Sequence, residues 1–81
     1  APDLAVELFS PGDRATELAR KVAGYLASGT RRVWVVYPRK RLVVVHTHDG
    51  GKRLVREPEA LDGGDVLPGF TLPVSDVFAA P

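Results

Sequence analysis

The chain has 81 residues, a formal net charge of +1, 44% hydrophobic residues and no cysteine. So short a chain allows one domain with a thin core, hiding only about 60–65% of its unfolded surface. Its composition excludes a disordered tail, a disulfide framework and a thiolate metal site.

Charge is unevenly spread. Residues 31–56 carry eight basic side chains and one acidic, residues 57–81 five acidic and none basic. The basic middle either attracts phosphate or pairs with the chain's own acidic tail. No apolar run approaches the roughly 20 residues that span a bilayer, and no signal peptide is visible. A cytoplasmic-type domain without membrane contact, or a piece of something longer, is expected.

In chain order, Leu4-Ala5-Val6-Glu7-Leu8-Phe9 reads as a strand apolar on both faces apart from one carboxylate, which predicts an interior strand covered on two sides. Ser10-Pro11-Gly12-Asp13 supplies turn chemistry, with Asp13 the preferred N-cap of a helix over Arg14–Ser28. In that helix Leu18, Val22, Tyr25 and Leu26 form one apolar stripe, and Gly29 is a left-handed stop. Arg32–Tyr37 is a second strand, so strand, helix and strand make a βαβ unit with parallel strands. Pro38-Arg39-Lys40 reverses the chain into a strand over Arg41–His48, and Asp49-Gly50-Gly51 reverses it again into Lys52–Arg56, which predicts an antiparallel meander. Residues 57–73 are rich in glycine and proline and read as a loop. A helical turn at Val74–Phe78 docks Val77 and Phe78. The fold class is α/β, one βαβ unit continued by an antiparallel meander, within a single domain over residues 1–81.

The anomaly is Glu7. A carboxylate inside an apolar strand is costly unless paired, protonated or metal-bound. It is either an edge or strand-end residue that reaches water, or a metal ligand or proton-transfer group. Lys21 is its natural partner: it lies at the boundary of the helical stripe, at a matching height above the first strand. The ordinary alternative for Lys21 is a surface pair with Glu17 at i, i+4. Asp3 shares a strand face with Glu7 but lies about 13 Å away along the strand, and reads more simply as the residue that starts it. His46 and His48 point the same way on a strand, but a zinc site needs a third ligand and only Asp49 is near. Arg39, Lys40, Arg41, Lys52, Arg53 and Arg56 form a basic hairpin. They either contact DNA phosphates or protect an edge strand by charge. No phosphate-binding glycine loop or Ser/His/Asp elbow is present.

Four segments in register, Pro2-Asp3-Leu4-Ala5-Val6-Glu7-Leu8-Phe9-Ser10-Pro11, Lys21-Val22-Ala23-Gly24-Tyr25, Val33-Trp34-Val35-Val36-Tyr37-Pro38 and Leu67-Pro68-Gly69-Phe70, resemble the C-terminal part of the Uma-type restriction endonucleases. That family is assigned to the PD-(D/E)XK nuclease superfamily. The resemblance implies a restriction-endonuclease-like, partial domain and a Mg2+-dependent phosphodiesterase acting on DNA. Glu7 matches the acidic residue of the (D/E)XK half-motif. Phe9 stands where its lysine should, and Lys21 matches a lysine moved to the following helix.

Two departures accompany the match. The aspartate that completes the metal site comes from an upstream strand, which this chain lacks unless Asp3 substitutes, and Tyr37 stands where the family usually has aspartate. The expectation is therefore a truncated, proteolysed or degenerate copy, inactive in isolation, with Glu7 and Lys21 as catalytic residues and Glu7 and Asp3 as metal ligands. It would associate with another copy or with a missing N-terminal segment. The alternative is a non-catalytic nucleic-acid-binding or assembly module using the basic hairpin.

Overall fold

A computed structural model describes residues 1–79. The first strand, β1 (Leu4–Leu8), leads through the helix α1 (Ala15–Ala27) to β2 (Arg32–Tyr37), and β1 and β2 are parallel as the βαβ pattern requires. A single 3-10 turn at Pro38–Lys40, closed by Arg41 in the left-handed region (φ 49°), reverses the chain into β3 (Leu42–Thr47). The next turn is held by Asp49, whose Oδ1 accepts from the Thr47 hydroxyl (2.5 Å) and the Gly51 N–H (2.8 Å). It delivers β4 (Lys52–Arg56), and β2, β3 and β4 form the expected antiparallel meander. The sheet order is β1-β2-β3-β4.

Two findings depart from the sequence expectation. The strand β1 is an edge strand, not an interior one: among the described residues only β2 pairs with it, and Val6 and Leu8 are 58% and 59% exposed. Its apolar residues read as cover on two sides, yet α1 packs on one face only. Residues 57–73, expected as a loop, form a hairpin of β5 (Ala60–Gly63) and β6 (Leu67–Pro73), followed by the short helix α2 (Val74–Val77). Glycine and proline disguised this hairpin. Strands at the margin of a fold tolerate both, and their burial comes from the surface they lie on.

The sheet therefore separates two cores. On one face, α1 sets Val22, with Leu18, Tyr25 and Leu26, against Ala5, Val33 and Val35. On the other, Leu61, Leu72, Val74, Val77 and Phe78 cover Trp34, Val43, Val45 and Val55. α1 starts one residue later than expected, with Arg14 as N-cap and no side-chain cap. Asp13 instead turns back, its Oδ2 accepting from the Ser10 N–H at 2.7 Å, which closes the Ser10–Asp13 turn. Gly29 ends the helix with φ 103°, a conformation that costs glycine little.

Candidate functional site

The alternation of strand residues decides where Glu7 points. Ala5 and Phe9 belong to the α1-side core, so Glu7, between them, faces the same way, beside the fully buried Val35. It is half-buried. α1 rises over this face and presents Lys21, which is exposed. Glu7 and Lys21 together line a cavity of about 60 Å³ at the open edge of β1, and both also line the shallower hollow beside it. Among the described residues the ion pairs within 4 Å do not include this one.

Three further charged side chains, Asp13, Arg14 and Glu17, share the smaller cavity. Sequence reasoning assigned Asp13 a capping role and Glu17 a surface pair with Lys21, and placed none of the three in the site, because turn, cap and first-turn residues have ordinary structural uses. Asp3 is not brought to Glu7. It is exposed, and its carbonyl accepts from the Arg31 and Arg32 N–H groups (both 3.1 Å), so it anchors the start of the β1–β2 pairing.

No group of three or more His, Cys, Asp or Glu converges on a metal-sized space among the described residues. A divalent ion needs several oxygen donors. Glu7 alone does not supply them, so these residues do not by themselves fit a magnesium site. His46 and His48 do not form a zinc site either. His46 faces the groove beneath α1, where burial first, and then the Lys52 ammonium, hold its imidazole below the ordinary value. His48 lies past the end of β3, where its N–H donates to the Arg31 carbonyl at 3.0 Å.

The basic hairpin divides. Arg41 pairs with Glu57 (2.6 Å), and Arg53 pairs with Glu59 (3.2 Å) and Asp62 (3.9 Å). Asp65 takes Arg31 at 2.9 Å and, with Asp62, approaches Arg32 at 3.9 Å. The acidic C-terminal segment thus neutralises cations on the hairpin side of the sheet. Arg39, Lys40, Lys52 and Arg56 enter none of the ion pairs among the described residues. Lys52 and Arg56 stand opposite His46 and Leu42, which pair with Val33 and Tyr37, and all of these project toward α1.

No helix among the described residues is long and apolar enough to cross a membrane. No match was found among curated proteins. The chain is similar to a solved "putative nuclease belonging to DUF820" from Anabaena variabilis ATCC 29413, at 24% identity and a TM-score of 0.86 over 96% of this chain and 44% of that one. At that identity the likeness concerns the fold, and the chain spans less than half the length of the solved protein. The model of the family Uma2, described as "Putative restriction endonuclease", matches residues 1–75. A match running from the first residue of the chain through β1, α1, the meander and the C-terminal hairpin to the start of α2 shows that the chain belongs to the Uma2 family.

Proposed function

We propose that this chain is the C-terminal part of a magnesium-dependent DNA endonuclease, to which it contributes Glu7 and Lys21 as catalytic residues. The observation that carries the reading is a half-buried carboxylate on the helix side of the sheet that lines the same small cavity as a lysine. Within a completed site, the Lys21 ammonium neutralises charge on a phosphate oxygen. The Glu7 carboxylate supplies one anionic oxygen donor, and Asp3, distant along the strand, supplies none. Family membership and the shared fold of a nuclease support this reading.

Because the donor set is partial, the isolated chain is inactive, and magnesium dependence belongs to the site completed by further polypeptide. The unpaired outer edge of β1, with Val6 and Leu8 exposed beside it, is where an additional strand would join the sheet.

The test is plasmid nicking in Mg2+. The chain alone leaves supercoiled DNA intact. Fused behind whatever part of the Anabaena protein precedes its matched segment, it nicks DNA in an EDTA-sensitive manner, and Glu7→Gln or Lys21→Gln abolishes the activity. Undiminished cleavage by Glu7→Gln, or a folded fusion that never nicks, overturns the proposal.

A further inference from the structure

We infer that the Phe9–Tyr37 aromatic pair and the cations around it form a seat for an unpaired nucleotide of single-stranded DNA, beside the Glu7–Lys21 site; the choice of DNA rests on the nuclease reading.

The first support is charge. The acidic C-terminal segment occupies Arg31, Arg32, Arg41 and Arg53, so in the basic middle the cations that enter no ion pair among the described residues are Arg39, Lys40, Lys52 and Arg56. These cations stand on the α1 side and at the adjoining turn, with Lys52 at the open sheet edge also reaching the cavity beneath the hairpin.

The second is shape. Phe9 and Tyr37 meet with ring centroids 5.4 Å apart and planes tilted by 43°. A hollow opens on either side of them. One, of about 150 Å³, is walled by Ser10, Pro11, Arg39 and Lys40. The other, of about 540 Å³, runs between α1 and the sheet past Leu18, Val22, Lys40 and Lys52, and its size is that of a small-molecule site. Both include Phe9, Tyr37 and Lys40, and no carboxylate among the described residues lines either. The Lys40 ammonium lies 5.8 Å from the centre of the Tyr37 ring.

An aromatic floor with cations and no anions at its rim complements a ligand that joins a flat apolar face to a negative backbone. A nucleotide has that form: the base stacks and the phosphate finds the ammonium groups. In a duplex both faces of each base are already covered, so an unpaired base fits the concave hollows better. Phe9 lies two residues beyond Glu7 on the same strand face, about 7 Å along β1. A strand crossing this surface can therefore set one nucleotide on the aromatic pair and a neighbouring phosphate at Glu7 and Lys21.

The experiment is fluorescence anisotropy on this chain with a labelled short oligothymidylate and a labelled duplex, in EDTA so that no cleavage intervenes. The oligothymidylate binds more tightly than the duplex, and Tyr37→Leu weakens it about 10-fold while Tyr37→Phe does not. Lys40→Gln with Lys52→Gln, both at the rim, lowers the salt slope by about 0.7 per lysine. The double variant decides the matter should Tyr37→Leu melt early. Equal or tighter duplex binding, wild-type affinity in folded Tyr37→Leu, an unchanged salt slope, or preference for an acidic amphipathic peptide each overturns the seat. A completed protein that never cleaves while oligothymidylate binding still depends on Tyr37 removes the nuclease reading and leaves the seat. Cleavage that depends on Glu7 while Tyr37→Leu binds normally does the reverse.

Discussion

Glu7→Leu is expected to stabilise the fold. Glu7 stands between Ala5, 7% exposed, and Phe9, beside the fully buried Val35, on the face that α1 covers. No hydrogen bond or ion pair among the described residues engages its carboxylate. A fully buried leucine side chain contributes about 1.5–3 kcal/mol, and a half-buried position returns roughly half of that. A gain of about 1 kcal/mol follows, which in a domain of this size raises Tm by roughly 4–8 °C. Urea denaturation should show a higher midpoint at unchanged slope, because the surface exposed on unfolding hardly changes. A loss of about 1 kcal/mol or more would refute the reasoning. It would mean that the carboxylate holds a structural partner in solution, with Lys21 the first candidate, and Lys21→Ala should then be destabilising by a similar amount. A stabilised Glu7→Leu that also abolishes nicking in the fused protein marks a residue kept against the interest of the fold.

Three further outcomes are expected. Leu61→Ala, on the inner face of the hairpin and 2% exposed, should cost about 2–5 kcal/mol by chemical denaturation; a cost below about 1 kcal/mol would mean that the hairpin is not part of the core. His46, held by burial and then by Lys52 below its ordinary 6.5, takes up a proton less readily in the folded chain than in the unfolded one. Stability is therefore full above about pH 6.5 and declines as the pH falls below it, and His46→Gln should flatten that decline in a series of urea melts. Arg53→Gln, which breaks exposed pairs with Glu59 and Asp62, should cost less than about 1 kcal/mol at low salt, and the difference should vanish in molar salt.

The elements most legible in the sequence are those whose stability is local or whose pattern is periodic. The stripe Leu18–Val22–Tyr25–Leu26 and the stop at Gly29 identify α1 because helical spacing and a left-handed glycine act within a few residues. The two-glycine turn after Asp49 and the bounds of β2 and β4 are likewise local. Glu7 was visible as a misfit for a related reason: a charge in an apolar run is anomalous whatever the fold around it.

The sequence by itself determined the βαβ unit, the meander, the anomalous carboxylate and the resemblance to a nuclease family. Tertiary structure alone decided that β1 is an edge, that residues 60–73 pair over the Trp34 face, and which cations the acidic segment pairs. The physical reason is the range of the forces concerned. Turn chemistry and helical periodicity are settled between near neighbours, whereas the cover of a sheet face and the pairing of Arg41 with Glu57 or Arg31 with Asp65 depend on segments that meet only once the chain has folded.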